Sequence, residues 1–78
     1  MSLHDRLTGV FVEALELPSA DGVDTLKYRD IDAWDSLGHM TLVAAIEDEF
    51  DVQFETEQVI DMSSFAVAVD MLRGLGVE

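Results

Sequence analysis

The chain predicts an all-α fold, a small bundle of three main helices and one short one. Three observations carry this. Apolar residues recur at three- and four-residue spacing in separate stretches, no run alternates convincingly at period two, and capping and turn residues fall between the stretches. A length of 78 residues makes one domain, 1–78, with no room for a second core. With 49% hydrophobic residues the chain is too apolar to be disordered despite its charge.

The first helix is expected over about 3–15. Leu3, Leu7, Val10, Phe11 and Ala14 form one apolar stripe, Ser2 and Asp5 have the spacing of an N-cap with an acidic third residue, and Pro18 closes the segment. From Ser19 to Trp34 the periodicity dissolves: Asp21-Gly22 signals a turn, and Asp24, Asp30 and Asp32 favour local side-chain bonds. So long a connection in a small domain needs anchors, and Val23, Leu26, Tyr28, Ile31 and Trp34 are the candidates. Tyr28 and Trp34 are read as packing residues.

The second helix is expected over 36–50, with Asp35 as its N-cap. His39, Leu42, Val43, Ile46 and Phe50 share a core face. A narrower strip carries Leu37, Met40, Ala44 and Glu47, where a helix facing a single core should be polar. Either another segment covers that strip, or it meets a partner through apolar contacts bordered by Glu47, Asp48 and Glu49. A short helix over 56–61 should turn Val59 and Ile60 inward. The last, over 64–73, is expected to pack Phe65, Ala68, Val69 and Leu72, with Ser64 able to cap and Gly74 and Gly76 ending it.

Seventeen acidic residues oppose four basic ones (Arg6, Lys27, Arg29 and Arg73), for a net charge of -13, and Asp30 to Asp70 holds no Lys or Arg. Such a field repels nucleic acid and anionic membrane and attracts partners with basic patches. It also suits a solvated surface. No cysteine is present, which removes disulfides and thiolate metal sites. No segment approaches the roughly 20 apolar residues that insert across a bilayer, and the first residues lack the apolar stretch of a secretion signal. The expectation is a cytoplasmic monomer.

At Asp30-Ile31-Asp32-Ala33-Trp34-Asp35-Ser36-Leu37-Gly38-His39-Met40 the chain resembles the acyl carrier proteins of fatty-acid and polyketide synthesis, which carry Asp-Ser-Leu at the start of their second helix. Ala45-Ile46-Glu47-Asp48-Glu49-Phe50, the short third helix and the closing apolar helix extend the likeness over essentially the whole chain. The tripeptide alone is weak; after an acidic loop, heading such a helix in a small acidic chain, it is specific. The resemblance implies that Ser36 receives 4'-phosphopantetheine from coenzyme A through a phosphopantetheinyl transferase, as a phosphodiester. The arm's thiol then holds acyl groups as thioesters and presents them to acyl-loading and acyl-processing enzymes. A helix N-terminus suits an attached phosphate. Asp35 is implied in recognition of the transferase and its metal ion, besides capping the helix. Leu37, Met40, Ala44, Glu47 and Asp48 would be the partner-facing residues. The carrier itself is not an enzyme. Leu42, Val43, Ile46, Ile60, Met62 and Val69 could line a shelter for the acyl chain or simply form the core.

Three departures count against housekeeping fatty-acid synthesis, so that fatty-acid, polyketide and specialised lipid biosynthesis all stay open, with a specialised pathway at least level with the first. Gly38 and Thr41 stand where acids are usual, and Trp34 replaces the usual small residue before Asp-Ser-Leu. Gly38 should also weaken the helix start by up to about 1 kcal/mol relative to Ala. An aminoacyl or D-alanyl carrier is the nearest alternative, although the Leu-Gly-Gly-x-Ser lead-in of peptide-synthesis carriers is missing. A second alternative is an acidic interaction module that is never modified. Ser36, His39 and Asp35 do not make a hydrolytic triad, for want of an orienting partner and an oxyanion site. A calcium loop starting at Asp30 fails, with Asp35 at its sixth position and Thr41 at its twelfth.

Overall fold

Ser2 opens the first helix through the bond its spacing implies: its Oγ accepts the Asp5 N–H at 3.1 Å, and α1 runs Leu3–Ala14. Such a cap is worth about 1 kcal/mol. The structure, a computed structural model, describes residues 2–77. A 3₁₀ turn, Val23–Thr25, follows Gly22, whose φ of 76° places it in the left-handed region that glycine adopts without strain. Then come α2 (Ser36–Phe50), α3 (Thr56–Asp61) and α4 (Phe65–Gly74). The four helices are three longer ones and a short one, with no strand among the described residues. Three edges differ from expectation: α1 ends at Ala14 with Leu15 as its C-cap, Ser64 stands outside α4 as its N-cap, accepting the Val67 N–H at 3.1 Å, and α4 runs on through Gly74.

The three longer helices enclose one apolar core. Leu3, Leu7, Val10 and Phe11 enter from α1, Leu42, Val43, Ile46 and Phe50 from α2, and Phe65, Ala68, Val69 and Leu72 from α4. At its centre the Phe11 ring meets Phe65 edge-on at 5.0 Å and Trp34 at 5.2 Å, aromatic geometry that adds to simple burial. Among the described residues no polar or charged side chain is buried. Arg6 of α1 closes one end, donating to the Glu49 carboxylate at 3.1 Å and its carbonyl at 2.9 Å with its guanidinium 4.5 Å from the Phe50 ring centre. The exposed ion pair itself is worth little, but the arginine covers apolar surface.

The connection between α1 and α2 is pinned as its composition implies. Val23 and Trp34 are buried, and Leu26, Tyr28 and Ile31 are half-buried against the core. An isolated antiparallel bridge, not legible in the sequence, ties it to the start of α4: the Tyr28 N–H donates to the Ser63 carbonyl at 2.8 Å and the Phe65 N–H to the Leu26 carbonyl at 3.0 Å.

The short helix corrects one expectation. Val59 faces inward as expected, half-buried against the core, but Ile60 is 73% exposed, and no residue of α3 is fully buried. Ile60 follows Val59 directly, about 100° further around the helix, so when Val59 faces the core Ile60 turns away from it. A capping box starts it, in which the Glu55 side chain accepts the Gln58 N–H while Gln58 returns a bond to the Glu55 N–H at 2.9 Å.

Candidate functional site

Ser36 is the first residue of α2 and is exposed. Its position follows from Asp35, whose Oδ1 accepts the Gly38 N–H at 2.8 Å and whose carbonyl accepts the His39 N–H at 2.8 Å. The residue after such a cap begins the helix with its side chain at the rim. Gly38 is explained here as well. A Cβ at this position would collide with the carbonyl of Ala33, which folds over the first turn of α2. The expected cost to the helix is real, but the glycine is what allows the loop carrying Trp34 to approach so closely.

Trp34 and His39 form the wall behind the serine. The indole is fully buried and donates to His39 Nδ1 at 3.0 Å. That leaves the ring proton on Nε2, which donates to the Val59 carbonyl at 2.7 Å and so ties α2 to α3. Both imidazole nitrogens are therefore engaged away from Ser36, which disposes of His39 as a base for that hydroxyl. The half-buried polar role read for His39 from the sequence holds, as does the packing role of Trp34.

Tyr28 is different. Its ring packs edge-on to Trp34 at 6.2 Å and to His39 at 5.4 Å, but its hydroxyl lies 3.1 Å from Ser36 Oγ. The bond from Ser36 and the adjacent Arg29 guanidinium, 5.6 Å from the ring centre, lower the phenol below its ordinary value, and the phenol in turn raises Arg29. Reading Tyr28 as packing alone missed this contact. Seven residues of irregular chain separate it from Ser36, and no periodicity spans such a segment.

Beside Ser36 opens an apolar cleft of about 410 Å³, lined by Tyr28, His39, Met40, Val59, Ile60, Met62 and Ser63. Of the six candidate shelter residues, Ile60 and Met62 reach this cleft, whereas Leu42, Val43, Ile46 and Val69 are core. The strip on the outer side of α2 is uncovered, with Leu37 78% and Met40 59% exposed and Ala44 exposed as well. Asp35 and Asp48 are exposed on the same helix. Glu47 departs from its expected place: it is half-buried, and its carboxylate accepts the Phe54 N–H at 2.8 Å, holding the chain between α2 and α3. Among the described residues no three His, Asp or Glu side chains are grouped to hold a metal ion. No helix is long and apolar enough to cross a membrane.

Around the Ser36 hydroxyl at the start of α2 stand the Tyr28 phenol, with the Arg29 guanidinium beside it, and the apolar cleft. The family model for the phosphopantetheine attachment site matches residues 5–72, and the chain belongs to that family. No solved structure matches it. Membership defines the class, a small helical carrier of acyl or aminoacyl groups on a phosphopantetheine arm.

Proposed function

We propose that the protein is an acyl carrier whose arm is attached at Ser36, and that the exposure of this hydroxyl beside an apolar cleft is the observation that carries the reading. A phosphopantetheinyl transferase joins Ser36 Oγ to the pantetheine-bearing phosphorus of the coenzyme A pyrophosphate. The serine proton passes to a base of that enzyme, and the bond from that phosphorus to the bridging oxygen breaks, releasing adenosine 3',5'-bisphosphate. Met40, Val59, Ile60 and Met62 favour an acyl cargo over an aminoacyl one, because a charged amine gains nothing from an apolar lining.

Enzymes with basic patches would dock on the outer strip of α2, reading Leu37, Met40 and Ala44 between Asp35 and Asp48, with Ile60 extending the apolar surface. Glu47 is engaged with the loop and contributes less than the sequence implies. The missing acid at Gly38 makes this face weaker in charge than the recognition helix of fatty-acid carriers, which supports specialised rather than housekeeping partners.

Intact-mass measurement after incubation with a broad-range transferase and coenzyme A tests the proposal. The wild-type chain gains one phosphopantetheine and Ser36→Ala gains none. An unmodified wild-type chain, which would then be an acidic interaction module, overturns it.

A further inference from the structure

The phenol of Tyr28 is the nearest hydrogen-bonding side chain to Ser36 Oγ in the structure's bond network, and the backbone beside it is unusual. Arg29 holds a φ of 73°, a left-handed conformation that costs a non-glycine residue stability, and its N–H donates to the Trp34 carbonyl at 3.0 Å. This fold-back keeps the loop's only arginine beside Tyr28 and within electrostatic reach of Asp35. Arg6 is occupied by Glu49 at the far end of α2, and Arg73 lies in the last turn of α4. In a chain of net charge -13, Arg29 is thus a cation held against the phenol that bonds Ser36.

We propose that Tyr28 and Arg29 form a clamp for the phosphodiester that joins the arm to Ser36, Tyr28 donating its phenolic proton to a phosphoryl oxygen and Arg29 supplying the countercharge. The inference rests on the attachment at Ser36 proposed above. Its logic is the change that esterification makes. The unmodified serine can donate a proton to the phenol oxygen. Once Oγ is esterified it has no proton to give, and the nearest strong acceptors are the charged phosphoryl oxygens. Tyr28 then becomes the donor. Asp35 opposes the added charge, and Arg29, held against the phenol, offsets it. Tyr28 and Arg29 are positioning residues: they aim the root of the arm along the cleft rather than leaving it free to swing in all directions.

The chain contains a single tyrosine, so its ionisation is read directly by absorbance near 295 nm. The protein is titrated before and after complete modification, with mass spectrometry reporting the gain on Ser36 and circular dichroism reporting the fold. The midpoint of Tyr28 should rise on modification by about half a pH unit or more, because the serine proton is lost and an anion is added beside the phenol. The phosphorus-31 resonance of the modified protein should also move in Tyr28→Phe toward its position in urea-unfolded protein. A mass gain with an unmoved midpoint, or a phosphorus resonance identical in wild type and Tyr28→Phe, overturns the clamp and leaves the attachment standing. No mass gain at all overturns both.

Discussion

The two halves of the molecule are held together by different physics. The framework of α1, α2 and α4 is an apolar core with no polar side chain buried in it among the described residues, and its stability is spread over twelve buried hydrophobic residues of those helices. The rim, made of the α1–α2 connection and α3, buries few side chains and is fixed by individual hydrogen bonds: Trp34 to His39, His39 to Val59, Glu47 to Phe54 and Tyr28 to Ser36. The framework positions the serine. The rim surrounds it with chemistry and is the part that can rearrange at little cost.

That contrast is broken most strongly in the core. Phe11→Ala removes the ring that contacts both Phe65 and Trp34, and is expected to cost about 3–5 kcal/mol, a large part of the stability of so small a domain. Denaturant unfolding would read this as a collapse of the midpoint. A cost below 1 kcal/mol would mean that the core is not packed as described.

His39→Leu sharpens the comparison, since it removes two rim bonds while preserving bulk. The buried indole N–H of Trp34 loses its acceptor and the Val59 carbonyl its donor, for about 1–3 kcal/mol. Amide exchange should accelerate across 56–61 more than within α4. Equal acceleration in both helices would show that the rim and the framework unfold as one unit.

The smallest effect on stability is expected at Ile60→Ser, within about 0.5 kcal/mol, because the side chain projects into solvent. Binding to acyl-processing enzymes should nevertheless weaken several-fold by titration calorimetry. Unchanged affinity for every such enzyme tested would remove α3 from the docking face.

The same division explains what could be read from the residues alone. The stripes of Leu3, Leu7, Val10 and Phe11, and of Leu42, Val43, Ile46 and Phe50, announce helices because helical period and one-sided burial produce the pattern together. Ser2, Asp35 and Ser64 mark the helix starts for an equally local reason. Ile60 departs from its expected side because a helix of fewer than two turns carries too little periodicity to say which residue faces the core. Gly38 looked like a weakness, since the Ala33 carbonyl that demands it arrives from an irregular loop. For Tyr28 the aromatic ring was legible as an anchor and its hydroxyl was not, because the contact with Ser36 depends on how the chain folds back between them.

The most direct measurement is fragmentation mass spectrometry of the modified chain after trypsin, which releases a segment from Asp30 to Arg73 holding Ser36, Ser63 and Ser64 together. Ser63 lines the same cleft and is the natural rival acceptor. The account predicts that the whole of the added mass resides on Ser36. Fragments that place it on Ser63 or Ser64 would contradict it.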